Sequence, residues 1–191
     1  MEALLVATGL VALAEIGDKT QLLAFILAAR FRKPVPIILG ILVATLLNHA
    51  AAGALGAWLT TLASPLTLRW VLGASFIAMA IWILIPDELD DTRATLTRYG
   101  VFATTLVTFF LAEIGDKTQI ATIALAARYQ ALTLVVLGTT LGMMIANVPA
   151  VLLGERIAQR IPTRWVHGVA AIVFALLGIA VLMGLGENIG L

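Results

Sequence analysis

The chain contains no cysteine, only two histidines and few charges: 12% of its 191 residues are Asp, Glu, Lys or Arg, about half the proportion usual in soluble domains. Without cysteine, disulfides and thiolate metal sites are excluded. A formal net charge of +1 leaves no strong field to attract nucleic acid or an acidic partner. Nor does the first hydrophobic stretch read as a signal peptide. Glu2 is its first charged side chain, no basic segment precedes the first hydrophobic stretch, and no small-residue cleavage pattern closes it, so that stretch reads as a retained span.

What the chain does have is apolar length. Hydrophobic residues make up 61% of it and the mean hydropathy is +1.06, the composition of a membrane protein. Apolar segments fall at Leu4–Ala29, Val35–Leu59, Trp70–Ile85, Val101–Ala127, Leu132–Leu153 and Val166–Leu185. Runs of this length without polar alternation exclude a barrel and predict six helices for a hydrocarbon core of about 30 Å. Arg30, Arg32, Lys33, Arg93, Arg98, Arg156, Arg160 and Arg164 lie in the first, third and fifth loops, whereas Arg69 and Arg128 lie on the other side. The positive-inside tendency therefore puts both termini outside. Asp87, Glu88, Asp90 and Asp91 add an acidic patch to the central loop, read either as a solvated loop or as a cation attractor at the cytoplasmic mouth. Trp58, Trp70 and Trp165 fall near helix ends, as interfacial anchors do.

The sequence LAEIGDKTQ occurs twice, at Leu13–Gln21 and Leu111–Gln119, and thirteen of eighteen positions agree between Leu13–Arg30 and Leu111–Arg128. Leu39-Gly40 recurs as Leu137-Gly138, Asn48 as Asn147, and WVLG at Trp70–Gly73 as WVHG at Trp165–Gly168. The chain thus divides into a three-helix repeat over residues 1–86, an acidic cytoplasmic linker over 87–99 and a second three-helix repeat over 100–191. Three is odd, so six spans make the repeats inverted, related by a pseudo-two-fold axis in the membrane plane, with a site expected at their interface. Were the third segment not a span, the repeats would be parallel.

Each repeated motif puts charge inside an apolar run. Glu15, Asp18, Lys19, Glu113, Asp116 and Lys117, at roughly 2.5–3.5 kcal/mol each in an isolated helix, would together cost on the order of 15 kcal/mol. They must face one another, water or a ligand. On a continuous helix Glu15, Asp18 and Lys19 share one stripe, and Gln21 lies one step further round. Gly17 and Gly115 either allow close helix approach or unwind the helix locally. The six charges sum to minus two, which one divalent cation neutralises. Glu15, Asp18, Gln21, Asn48, Glu113, Asp116, Gln119 and Asn147, with the hydroxyls of Thr20 and Thr118 as possible further ligands, form an oxygen-rich set for hard cations such as Ca²⁺, Mg²⁺ or Mn²⁺. When the cation leaves, crowded carboxylates take up protons as a coupled set, which makes proton-for-cation exchange the expected mechanism. Lys19 and Lys117 compensate charge, either in permanent ion pairs with Glu15 and Glu113 or as surrogate cations that swing away on loading. Asn48 and Asn147 read as ligands, supports for ligands, or interhelical hydrogen bonders. Pro149 is expected to kink its helix, Gly53 and Gly56 to mark helix contacts, His49 to pack or relay protons, and His167 to lie near the cytoplasmic interface.

The twin motifs, Glu15-Ile16-Gly17-Asp18-Lys19-Thr20 and Glu113-Ile114-Gly115-Asp116-Lys117-Thr118, resemble the cation/proton exchanger family of the yeast Golgi calcium and manganese transporter, which includes bacterial manganese exporters and chloroplast manganese transporters. The resemblance spans essentially the whole chain. It implies that both Glu and both Asp coordinate transported Mn²⁺ or Ca²⁺, with protons as counter-ion, and that the cation is cargo, with no resident cofactor. Compact length without a targeting extension resembles the bacterial form, which implies export of manganese across an inner membrane. Oligomeric state is not indicated. Three rival readings have distinct signatures. An exporter of a small organic cation or amino acid needs an aromatic or apolar cage, but Ala, Ile, Leu and Phe flank the motifs. A channel would lack coupling to a counter-gradient, and a non-transporting assembly protein would tolerate neutralisation of Asp18 or Asp116.

Overall fold

The computed structural model describes residues 1–85, 100–153 and 163–184. The 87–99 linker, with its acidic patch and Arg93 and Arg98, lies outside the described residues, as do Arg156, Arg160 and the end of the sixth segment. Among the described residues the fold is all α, with eight helices: α1 (Glu2–Glu15), α2 (Lys19–Phe31), α3 (Pro34–Leu62), α4 (Pro65–Trp82), α5 (Gly100–Glu113), α6 (Lys117–Tyr129), α7 (Leu132–Leu153) and α8 (Thr163–Leu182). Four are long and apolar enough to cross a membrane: α3, α4, α7 and, from Arg164 to Leu182, α8. The other four have 13 or 14 residues each, about 20 Å at 1.5 Å per residue, too short to cross singly.

The first and fourth apolar segments, each counted as one span in the sequence with unwinding at Gly17 and Gly115 left open, are thus each two helices broken at the charged motif. The third helix also starts five residues earlier than hydropathy indicates, because Ser64 caps it by accepting the Thr67 N–H at 3.2 Å and Pro65 occupies its first turn. That signal was present in the letters "SP". α2 and α6 end alike: Arg32 (φ 52°) and Gln130 (φ 49°) turn left-handed and donate their N–H groups to Ala28 O (2.9 Å) and Ala126 O (3.0 Å). α7 continues through Pro149.

Packing interleaves the repeats. α1 lies chiefly against α7 and α5 against α3, while α4 packs on α8 and α3 also meets α6 and α7. Two glycines at matching sequence positions set the first two contacts. A β-carbon on Gly40 of α3 would sit 2.7 Å from Thr105 Cβ in α5, and one on Gly138 of α7 would sit 2.6 Å from Leu4 O in α1. These helices approach as closely as membrane helices do where small residues replace bulk, since without a hydrophobic force between them contact rests on packing. Gly53 and Gly56 are helix contacts too, against Leu132 and the Ile123 carbonyl. Phe76 of α4 and Phe174 of α8 are fully buried with centroids 6.3 Å apart, in a cluster that reaches α1 and α6; a second cluster joins Ile37, Ile41, Phe109 and Val151. Large apolar side chains also cover the outside, and Trp58, Trp70 and Trp165 are exposed.

Replacing Gly138 with Leu pushes a side chain into the α1 backbone and should cost about 1–3 kcal/mol, lowering the thermal midpoint in detergent. Gly9→Ala, where a β-carbon meets nothing within 4 Å, should leave the midpoint unchanged or raise it slightly. Equal effects of the two substitutions would contradict the interleaved packing.

Candidate metal centre at two helix breaks

α1 ends at Glu15 and α2 starts at Lys19; α5 ends at Glu113 and α6 starts at Lys117. Between them Gly17 (φ +86°) and Gly115 (φ +77°) take left-handed backbone, which costs an L-residue about 1–2 kcal/mol. Of the two roles open to these glycines, unwinding is the one the backbone displays: a β-carbon on Gly115 would meet nothing within 4 Å, so close approach does not require glycine there. A single helical stripe carrying Glu15, Asp18 and Lys19 therefore does not form, because the left-handed residue breaks the helix between the acids.

The breaks are restitched identically. Asp18 N–H donates to Glu15 O and Asp116 N–H to Glu113 O, both at 3.1 Å. Gln21 Oε1 accepts from Gly17 N–H at 2.9 Å, and Gln119 Oε1 from Gly115 N–H at 2.8 Å. The glutamine Nε2 of the first motif also reaches across to Ala146 O in α7, at 2.9 Å. Both amide oxygens, candidate ligands in the sequence, thus hold the unwound backbone.

Thr20 Oγ1 donates to Glu15 Oε2 at 2.5 Å, and Thr118 Oγ1 to Glu113 Oε2 at 3.2 Å. The threonine hydroxyls therefore orient the two glutamates. Each glutamate is fully buried, and its Oε1 has no hydrogen-bond partner among the described residues. Glu15, Glu113 and Asp116 each present a carboxylate oxygen within 4.8 Å of the others. At that spacing two full charges repel by roughly 3 kcal/mol at an effective dielectric constant near 20. Helix polarity divides the cluster: the glutamates end α1 and α5, where carbonyls gather, whereas Asp18 and Asp116 cap the positive ends of α2 and α6. Asp116 also accepts from Thr118 N–H at 3.4 Å.

The lysines cross between the motifs. Lys19 Nζ lies 2.5 Å from Asp116 Oδ1, and Lys117 Nζ lies 3.7 Å from Asp18 Oδ1. Lys117 additionally donates to Ile85 O at 3.0 Å. Each lysine thus answers an aspartate of the other motif, a pairing that spacing within one motif could not reveal.

Asn48 Nδ2 donates to Phe110 O at 3.0 Å, tying α3 to α5. Asn147 Nδ2 donates to Met143 O at 3.1 Å within its own helix, and its fully buried Oδ1 has no partner among the described residues. His49 is also fully buried without a hydrogen-bond partner there. Two features escaped the sequence reading. His167 Nε2 meets Ile16 O at 2.8 Å, closing α8 onto the first break. Buried threonines cross the apolar helices, Thr104, Thr108 and Thr122 among them; Thr108 and Thr122 return their hydroxyls to carbonyls one turn earlier, at 2.8 and 2.7 Å. The string TTLVT in α5 was the available signal.

Apolar helices long enough to cross a membrane fit an integral membrane protein, and the match to an antiporter family makes it a transporter, not an enzyme. The family model described as divalent cation/proton antiporter GDT1 matches residues 3–91 and 101–188, and the chain belongs to that family. It is 52% identical over 181 residues to a Vibrio cholerae protein named "Putative manganese exporter", covering 94% of this chain and 90% of that one. It is 30% identical over 190 residues to the GDT1-like protein sll0615 of Synechocystis, covering 89% and 91%. To GDT1-like protein 3 of Arabidopsis thaliana it is 28% identical over 200 residues, covering 91% and 68%. No solved structure matches the chain.

Removing Lys19 should leave Asp116 beside Glu15 and Glu113 without its salt bridge. Lys19→Met should cost about 3 kcal/mol in unfolding free energy, and adding Asp116→Asn should recover most of it by returning the six-residue cluster to a net charge of minus two. Chemical denaturation in detergent reads both; a Lys19→Met protein as stable as wild type would contradict the bridge.

Proposed function

We propose that the protein exports divalent cations, Mn²⁺ before Ca²⁺, in exchange for protons, and that the ion sits between Glu15 and Glu113 with Asp116 beside them. The observation that carries this reading is the pair of buried glutamate oxygens left without partners among the described residues, in a cluster of like charge. A buried carboxylate oxygen needs a hydrogen bond or a cation. The alternatives available in mid-membrane are a hard divalent ion or protons, and because either neutralises the cluster, each displaces the other. Asp18, Gln21, Asn48, Gln119 and Asn147 then serve as further ligands or as supports of the two glutamates, with Lys19 and Lys117 holding the aspartates and Thr20 and Thr118 orienting the glutamates. Preference for manganese is supported by the name of the Vibrio cholerae relative, since hard oxygen ligands suit either ion.

In this reading α1 with α2 and α5 with α6 are two broken spans, so the chain crosses six times as two inverted three-helix repeats, 1–86 and 100–191, joined by the linker 87–99. The crossed pairs Lys19–Asp116 and Lys117–Asp18 support it, because a two-fold axis generates reciprocal contacts of this kind. So do half-helices meeting at mid-chain motifs, the pattern of transporter sites at repeat interfaces. The membrane is the bacterial inner membrane, with both termini outside.

In proteoliposomes, Mn²⁺ flux should saturate, respond to an imposed pH gradient and fall at least about tenfold in Glu113→Gln at equal incorporation, with Ca²⁺ carried more slowly. Mn²⁺ flux independent of the pH gradient would contradict the exchange.

A further inference from the structure

One peptide group of the first break is held at both ends by side chains. Between Glu15, the last residue of α1, and the left-handed Gly17, Ile16 is extended (φ −65°, ψ 113°), so the peptide joining Ile16 to Gly17 belongs to neither half-helix. Its N–H donates to Gln21 Oε1 at 2.9 Å, and its carbonyl oxygen, Ile16 O, meets His167 Nε2 at 2.8 Å. Gln21 in turn donates through Nε2 to Ala146 O at 2.9 Å. A run of hydrogen bonds therefore passes from α7 through Gln21 and this peptide to α8. We infer that His167 is a positioning residue for the cation site: by gripping the peptide next to Glu15, it fixes where that glutamate presents its carboxylate. The inference rests on the reading that Glu15 binds the transported ion.

A broken helix leaves carbonyls without the N–H that would have come from the next turn, and inside a membrane each must find another donor. For Ile16 O that donor is an imidazole. A carbonyl only accepts, so His167 donates, and it does so from Nε2 whether the ring is neutral or charged. Without it the peptide is free to turn, carrying the backbone of Glu15 with it. The other bonds to Glu15 come from its own broken span: Asp18 N–H to its carbonyl at 3.1 Å and Thr20 Oγ1 to Oε2 at 2.5 Å. Those bonds fix the shape of the span. They do not set its distance from Glu113, which lies in the second repeat, and an ion shared by both glutamates needs that distance held. His167 supplies such a tie between the repeats, because α8 belongs to the second and Ile16 to the first. Packing does not explain the histidine: where the second repeat reads WVHG the first reads WVLG, and Leu72 is buried in the corresponding place on α4.

The test compares full-length wild type, His167→Leu, His167→Gln and Phe174→Leu in two measurements: hydrogen exchange of the amides in residues 15–21 in detergent without metal, and the half-saturating Mn²⁺ concentration for flux into proteoliposomes. His167→Leu should speed the exchange and raise half-saturation about fivefold at unchanged maximal flux, the loss expected of one hydrogen bond. His167→Gln, whose amide nitrogen can stand where Nε2 stood, should restore both. Phe174→Leu, about two turns along α8 from His167, removes part of the ring contact with Phe76 and should lower the thermal midpoint while changing neither measurement. An unshifted half-saturation in His167→Leu would overturn the proposal whatever the exchange shows. So would failure of His167→Gln to restore it, or an equal rise in Phe174→Leu, which would make the effect one of packing. A wild type that carries no Mn²⁺ would sink the exporter reading and this proposal with it, whereas saturable wild-type flux beside an unshifted His167→Leu sinks this proposal alone.

Discussion

Carboxylates of like sign, packed within 4.8 Å of one another where water is scarce, are the constraint around which this molecule is arranged. Such groups are tolerable only if each charge is answered, and the structure answers them unequally. Asp18 and Asp116 receive helix N-termini and lysines from the opposite motif. Glu15 and Glu113 receive one threonine hydroxyl apiece and keep a second, buried oxygen in reserve. Much of the surrounding fold serves this arrangement. Left-handed glycines stop the first half-helices at the glutamates, glutamine amides secure the exposed backbone, and glycine contacts at Gly40 and Gly138 bring α3 onto α5 and α7 onto α1.

Repetition is close but incomplete, and some of the departures lie in the surroundings of the motifs. Ile16 O is covered by His167, whereas the corresponding residue of the first repeat is Leu72, whose side chain has no hydrogen to donate. Ile114 at the second break is 55% exposed. Lys117 is almost wholly buried and reaches Ile85 O, while Lys19 is 20% exposed and grips its aspartate more closely. Among the described residues, then, the first break carries a polar contact from α8 that the second does not.

The sequence carried the chemistry further than the geometry. Twin motifs, their charges, the matching asparagines and the apolar character of every long segment were legible, because burying Glu, Asp and Lys in a hydrophobic run is costly enough to demand a reason. The halves of each broken span could not be separated by hydropathy, since Leu4–Ala29 is apolar on both sides of Gly17 and only a backbone angle distinguishes the break from a close helix contact. Likewise Lys19 has a carboxylate four residues before it in sequence, and nothing local says that its bridge is to Asp116 in the other half. Gln21 and Gln119 illustrate the same limit: nothing in the letters says that an amide three residues after an acid also accepts from the unwound backbone beside it. The contact of His167 with Ile16 went unforeseen because its partner is a main-chain carbonyl, which has no letter.

The central claim is that one cation is shared by the glutamates of both motifs. Diffraction from crystals grown with Mn²⁺, with anomalous scattering collected at the manganese edge, tests it most directly. The account predicts a single peak within about 2.0–2.6 Å of carboxylate oxygens from both Glu15 and Glu113. A peak bound by one motif alone, or an absence of manganese at both glutamates under saturating ion, would contradict it.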